Sequence, residues 1–124
     1  MKKIMLKTPL IILALFIFIV LTSCKAISKD EANTNLLNAG YKVEIMDGDE
    51  FEESDENKFL IFGFELEYYL YAEKDEDEIH MFFFISIDAA SENEPFIYYD
   101  GLKGGQINNL VYYGTKQAIK DAQI

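Results

Sequence analysis

The distribution of apolar and polar residues changes period several times along this chain. From Leu10 to Leu21 there is no alternation: twelve residues carry neither charge nor amide. Beyond residue 28 a helical spacing appears, with Ala32, Leu36 and Ala39 on one line and Leu37 beside it. Apolar side chains three and four residues apart share a helix face. Ser28-Lys29-Asp30-Glu31 supplies a capping box ahead of that run, and Ile27 can staple onto Ala32. Gly40 is a natural stop at the C′ position.

The period then falls to two. Tyr41, Val43 and Ile45 alternate with Lys42, Glu44 and Met46, which predicts a half-buried strand. Asp47 to Lys58 reads as an acidic loop in which Phe51 is the one large apolar residue, placed to pin the loop to the core. From Phe59 to Ala72 the spacing of two returns. Leu60, Phe62, Phe64, Leu66, Tyr68 and Leu70 fall on one side, and Glu65, Glu67, Tyr69 and Tyr71 on the other. A bend or bulge is expected at Gly63, since an isolated glycine inside a strand marks such sites.

Lys74 to Asp77 supplies a hairpin turn into a strand over Glu78–Ile87. Met81, Phe83, Ile85 and Ile87 share one face of it; His80, Phe82, Phe84 and Ser86 share the other. Apolar residues on both faces predict a central strand covered on both sides, at least in part. From Asp88 the period changes: Ala89, Phe96, Tyr99 and Lys103 sit near one helical line that Pro95 interrupts. A helix is therefore expected to start or restart at Pro95, where a missing N–H does no harm, and to end near Gly104-Gly105. Ile107 to Tyr113 reads as a last strand, and Thr115 as the cap of a short helix carrying Ala118, Ile119 and Ala122. The resulting fold class is α+β: an antiparallel or mixed sheet of four to five strands with helices against one face. Residues 29–124 form one domain, with no internal repeat.

The apolar run at the start lies outside that domain. Lys2, Lys3 and Lys7 precede it without any acidic residue, and small residues follow it. A charged start, a short apolar core and a small-residue end form the pattern of a secretory signal peptide, here residues 1–23. The run closes on Leu21-Thr22-Ser23-Cys24, and Cys24 is the only cysteine of the chain. One cysteine cannot form an internal disulfide, and a free thiol is a liability in an oxidising compartment. LTSC resembles the bacterial lipobox. That resemblance implies cleavage between Ser23 and Cys24, a diacylglycerol on the Cys24 sulfur and a palmitate-type acyl group. Residues 24–28 then form a lipidated cysteine and a short tether. Each buried methylene contributes about 0.8 kcal/mol, so two or three acyl chains anchor stably where one does not. The competing reading is an uncleaved transmembrane anchor over Ile4 to Thr22, nineteen residues interrupted by Lys7. Either way the domain stands on the extracytoplasmic face of a bacterial membrane.

Charge narrows the partners. Loss of Lys2, Lys3 and Lys7 leaves eight lysines against 22 acidic residues, a net charge of −14 on 101 residues without arginine. Such a domain is repelled by nucleic-acid phosphates and by anionic headgroups. Nucleic acid is excluded as a partner, and the hold on the membrane must come from the lipid at Cys24. A two-lobed transport receptor is excluded by length.

No catalytic constellation is evident, and no enzyme activity is expected; an enzyme would have to use Glu65, Glu67 or His80, converging in a concave pocket. His80 is the only histidine, and Ser28, Ser54, Ser86 and Ser91 all lie outside a GxSxG context. Six residues along one strand hold Ser86 about 20 Å from His80. A metal centre is not expected either: zinc wants several His or Cys ligands. Asp47-x-Asp49 begins a calcium-loop pattern but meets Phe51 where the third ligand belongs. The acidic clusters at 47–53 and 75–78 therefore read as solvated loops, with weak cation or small-ligand binding as the alternative. Gly101 and Gly104-Gly105 lack the Lys-Ser/Thr of a phosphate loop, and no cofactor is expected.

Aromatic content is the least ordinary feature, with eight Tyr and eight Phe after Cys24. One tyrosine of each strand pair, Tyr68-Tyr69 and Tyr112-Tyr113, points from a one-sided core. There it can hold a protein partner or stack on a sugar ring; if both faces are covered, the rings fill core. YYLYAEKDEDEIHMFFF and NLVYYGTKQAIKDA are similar to uncharacterised small lipoproteins of low-GC Gram-positive bacteria, a resemblance that carries no site residue. The expectation is a non-enzymatic binding or accessory module at the cell envelope, with an envelope protein as partner.

Overall fold

The computed structural model describes residues 27–54, 65–97 and 101–124. Helix α1 (Lys29–Asn38) starts as its sequence dictates, with the Glu31 N–H donating to Ser28 Oγ at 3.1 Å. The reciprocal contact of the box runs between side chains, the Ser28 hydroxyl donating to Glu31 Oε1 at 3.2 Å. At its far end Gly40 has φ +92°. The Gly40 N–H donates to the Leu37 carbonyl and the Tyr41 N–H to the Leu36 carbonyl, the two bonds of a Schellman stop.

Strand β1 (Lys42–Asp47) follows, then helix α2 (Gly48–Glu53). The first half of the expected acidic loop is thus helical. Asp47 is its cap, accepting from the Glu50 N–H at 2.8 Å, and Phe51 is the buried anchor the sequence required. Residues 55–64, with the anticipated bend at Gly63, lie outside the described residues. Strands β2 (Leu66–Lys74) and β3 (Asp77–Phe84) form the predicted hairpin, with Asp75 at φ +55° in its turn.

Beyond β3 the sequence expectation needs correction. The strand ends at Phe84, and Ser86 caps helix α3 (Ile87–Asn93) by accepting from the Ala89 N–H at 3.1 Å. Pro95 falls in a 3₁₀ turn (Glu94–Phe96) that ends this helix; it does not begin one. Gly104-Gly105 belongs to strand β4 (Lys103–Ile107), paired with β5 (Leu110–Gly114) across a tight turn at Asn108-Asn109. The expected strand over 107–113 is therefore a hairpin, with Asn108 at φ +52°. Asparagine tolerates that left-handed conformation better than most residues. At Gly105 the Tyr112 ring lies close, and a Cβ there would stand 3.2 Å from Tyr112 Oη, so a side chain would have to push the phenol aside. Helix α4 (Lys116–Asp121), capped by Thr115, closes the chain.

The five strands form one antiparallel sheet in the order β1-β2-β3-β5-β4. Helices cover both faces, not the single face expected. Ala32 and Leu36 of α1 and Ala118 of α4 pack with Leu70, Ile79, Met81 and Phe83. Phe51 of α2 and Ala89 and Ala90 of α3 pack on the opposite face with Tyr69, Phe82, Phe84 and Val111. Alternate residues of β3 feed both cores, which explains its unbroken apolar run. A bulge between Leu66 and Tyr68 moves Leu66 onto the face of Tyr69, opposite Phe84, and away from Tyr68 and Leu70. One extra residue reverses the alternation.

Tyr41 links the start of β1 to α4. It is buried, and its hydroxyl donates to Asp121 Oδ2 at 2.8 Å. Burial, and next the Asp121 carboxylate, push the phenol well above its ordinary value of 10.0. The neutral form is favoured in the folded state, so this bond contributes fully below about pH 10 and is lost as pH rises through the raised value. Thermal melts between pH 8 and pH 11 should show the wild type losing more stability than Tyr41→Phe; parallel curves would refute the linkage.

Candidate functional site

Cys24 lies outside the described residues, as do Ser23 and the apolar run before them. Among the described residues, no helix is long and apolar enough to cross a membrane.

His80 sits in the middle of the sheet on the α2–α3 face, in a row of rings. Its imidazole stacks on Tyr113 with centroids 4.3 Å apart and meets Tyr71 at 4.9 Å. Nδ1 shares a hydrogen bond of 2.8 Å with Tyr69 Oη, and Nε2 lies 3.5 Å from Glu78 Oε2. Both ring nitrogens thus face partners within the fold, which suits a strand histidine that ties β2 to β3. Ser86 is occupied as the α3 cap, well away from this row. Glu65 bonds the α3 residue Asn93, whose Nδ2 donates to Glu65 Oε2 at 3.3 Å. Glu67 lines a groove on the other face. The structure therefore does not bring Glu65, Glu67 and His80 together.

The acidic clusters take structural work where they are described. Asp47 is spent on capping α2, and Phe51 turns inward at the position a calcium loop would give to a ligand. Among the described residues, no group of three or more His, Cys, Asp or Glu side chains could hold a metal ion.

The strand tyrosines meet core on both faces. Tyr69 and Tyr113 are buried on the α2–α3 side, and Tyr68 and Tyr112 are half-buried against the α1–α4 side. Neither pair presents a ring to solvent in the way a one-sided sheet requires. Tyr98-Tyr99, the third adjacent tyrosine pair of the sequence, lies outside the described residues. Large apolar surface is exposed elsewhere, at Leu37, Ile85, Ile87 and Phe96.

One concavity stands out for its position. A groove of about 410 Å³ opens where the chain enters the fold, between Ile27, Lys29 and Asp30 of the α1 start and Glu67, Tyr68, Phe83 and Asn109 of the sheet. Lys29 Nζ lies 3.9 Å above the Tyr68 ring and 3.6 Å from Asp30 Oδ1. The volume is of the size that takes a small molecule. Its walls mix two carboxylates, an amine, an amide and apolar surface. Sequence reading missed this site because its walls come from α1, β2, β3 and the β4–β5 turn, which only the sheet order brings together.

The fold and groove define an α+β domain with a five-stranded antiparallel sheet between two helical layers. No protein-family model matches the chain, and comparison with curated proteins and with solved structures returns no match.

Proposed function

We propose that this chain is a lipid-anchored extracytoplasmic protein, a non-enzymatic binding or accessory module held at the envelope through Cys24. The observation that carries the proposal is the succession of Lys2, Lys3 and Lys7, the apolar run Leu10–Leu21 and LTSC, with no other cysteine in the chain. Supporting it, Ser28, the cap of helix α1, stands four residues after Cys24, so the described domain begins close behind the proposed anchor. The partner is an envelope component other than nucleic acid, because a charge of −14 on the domain after Cys24 repels polyanions.

Membrane washing tests the mode of attachment. A protein held by acyl chains and repelled by anionic headgroups stays in the pellet when salt screens surface charge, because hydrophobic burial is not screened. Retention in molar salt, with cleavage by protease added outside intact cells, is the expected outcome. Release by salt, or protection from the protease, would overturn the proposal.

A further inference from the structure

Three connections open at one end of the sheet. Register places the start of β2 against the end of β3, Leu66 opposite Phe84, and the end of β3 against the start of β5, Phe83 opposite Leu110. The Asn108-Asn109 turn and the exit of β1 share that end. The chain also enters the fold there, because Ile27 and Ser28 line the groove with Glu67, Tyr68, Phe83 and Asn109. Helix α1 then runs away from it, its last turn meeting Lys74 at the opposite end, where Lys74 Nζ donates to the Ala39 carbonyl at 2.7 Å.

The same end carries the two most exposed large aliphatic side chains among the described residues, Ile85 at 62% and Ile87 at 55%. Ile85 is fixed in place by its backbone, its N–H donating to the Glu65 carbonyl at 2.9 Å. It stands two residues past Phe83 of the groove wall, about 7 Å along the chain. Single exposed aliphatics are common on soluble domains. Two on either side of a helix cap, at the end through which the chain enters, are less easily explained by water alone.

Chain length supplies the occupant. Cys24 is three residues before Ile27, and three residues span at most about 10 Å. An acyl group on Cys24 therefore holds Ile27, at this end of the sheet, within about 10 Å of the lipid headgroups. We propose that the domain stands on the bilayer by this end, with Ile85 and Ile87 seated in the headgroup region and the Asp75-Glu76 hairpin turn pointing away. This orientation rests on the lipid-anchor reading. Asp88 next to Ile87, Glu65 whose carbonyl holds the Ile85 N–H, and Glu67 of the groove keep the contact shallow and favour zwitterionic over anionic lipid.

The solitary cysteine makes the test direct, because acylation consumes the native thiol. Ile85→Cys, Ile87→Cys and Glu76→Cys, each in the full chain, would be purified acylated, spin-labelled at the new thiol and reconstituted in phosphatidylcholine vesicles. All three sites are on the surface, and a melting curve for each confirms that the fold is kept. The orientation predicts loss of access to aqueous nickel at 85 and 87, with full access at 76. Acylated Cys24 with equal access at all three positions would overturn the orientation and leave the anchor standing. An unmodified Cys24 in the intact mass would overturn both.

Discussion

Cys24→Ser should abolish incorporation of a labelled fatty acid and stop the chain from being shortened by its 23-residue leader. A hydroxyl cannot replace the thiolate as the nucleophile that accepts a diacylglycerol, since the thiol is already partly ionised near neutral pH and serine is not. If cleavage depends on the acyl group, as the resemblance to the lipobox implies, the precursor accumulates whole. The variant is not expected simply to leave the membrane. Its retained leader offers the stretch Ile4 to Thr22, nineteen residues, about the length that spans a bilayer. The informative readouts are therefore the fatty-acid label and the mass, and fractionation alone would mislead. Persistent labelling of the variant would place the lipid elsewhere.

Gly114→Ala should lower stability more than any other single-methyl addition in the sheet. Gly114 ends β5 opposite Ile79 of β3. A Cβ at this position would stand 2.5 Å from the Glu78 carbonyl oxygen and 2.9 Å from Ile79 Cα. Both are backbone atoms of the central strand and cannot rotate aside. The Glu78 carbonyl also accepts from the Thr115 N–H at 2.9 Å, so displacing it loosens the start of α4. Forcing a methyl into such a space costs about 3 kcal/mol. For a domain of this size each kcal/mol moves the midpoint by roughly 4–8 °C, so Tm should fall by about 12–24 °C. Gly101→Ala, where nothing lies within 4 Å, is the paired control; its cost comes only from its φ of +76°. A Gly114→Ala melt within a degree or two of wild type would mean that β3 and β5 are not packed this closely.

Much of the fold was legible because local signals and tertiary packing agree. Ser28 with Glu31, Gly40, the alternation at Val43 and Ile45, the Asp75 turn and Thr115 each specify an element boundary by backbone chemistry alone, and each is found in place. The fold class follows from their order. The errors share a cause. Ser86 is a helix cap, but on a run of alternating apolar residues it reads as one more outward strand position. Asn108-Asn109 is a turn, yet Ile107, Val111 and Tyr113 keep a spacing of two straight through it. Asp47 offers both a loop residue and a cap, and only burial of Phe51 decides for the cap. The bulge near Leu66 exchanges faces without any glycine to announce it. The groove was invisible for a different reason: its walls are separated by up to 82 residues of sequence, between Ile27 and Asn109.

Location and attachment come first, since under the proposed lipid anchor the groove, the exposed isoleucines and the acidic surface acquire their meaning from the place of Cys24. The measurement that bears on it most directly is the intact mass of the protein isolated from its native membrane. The expected species begins at Cys24 and carries the mass of a diacylglycerol, with or without a further acyl group on the new amino terminus. A chain that still begins at Met1 with an unmodified sulfur would contradict the account at its root.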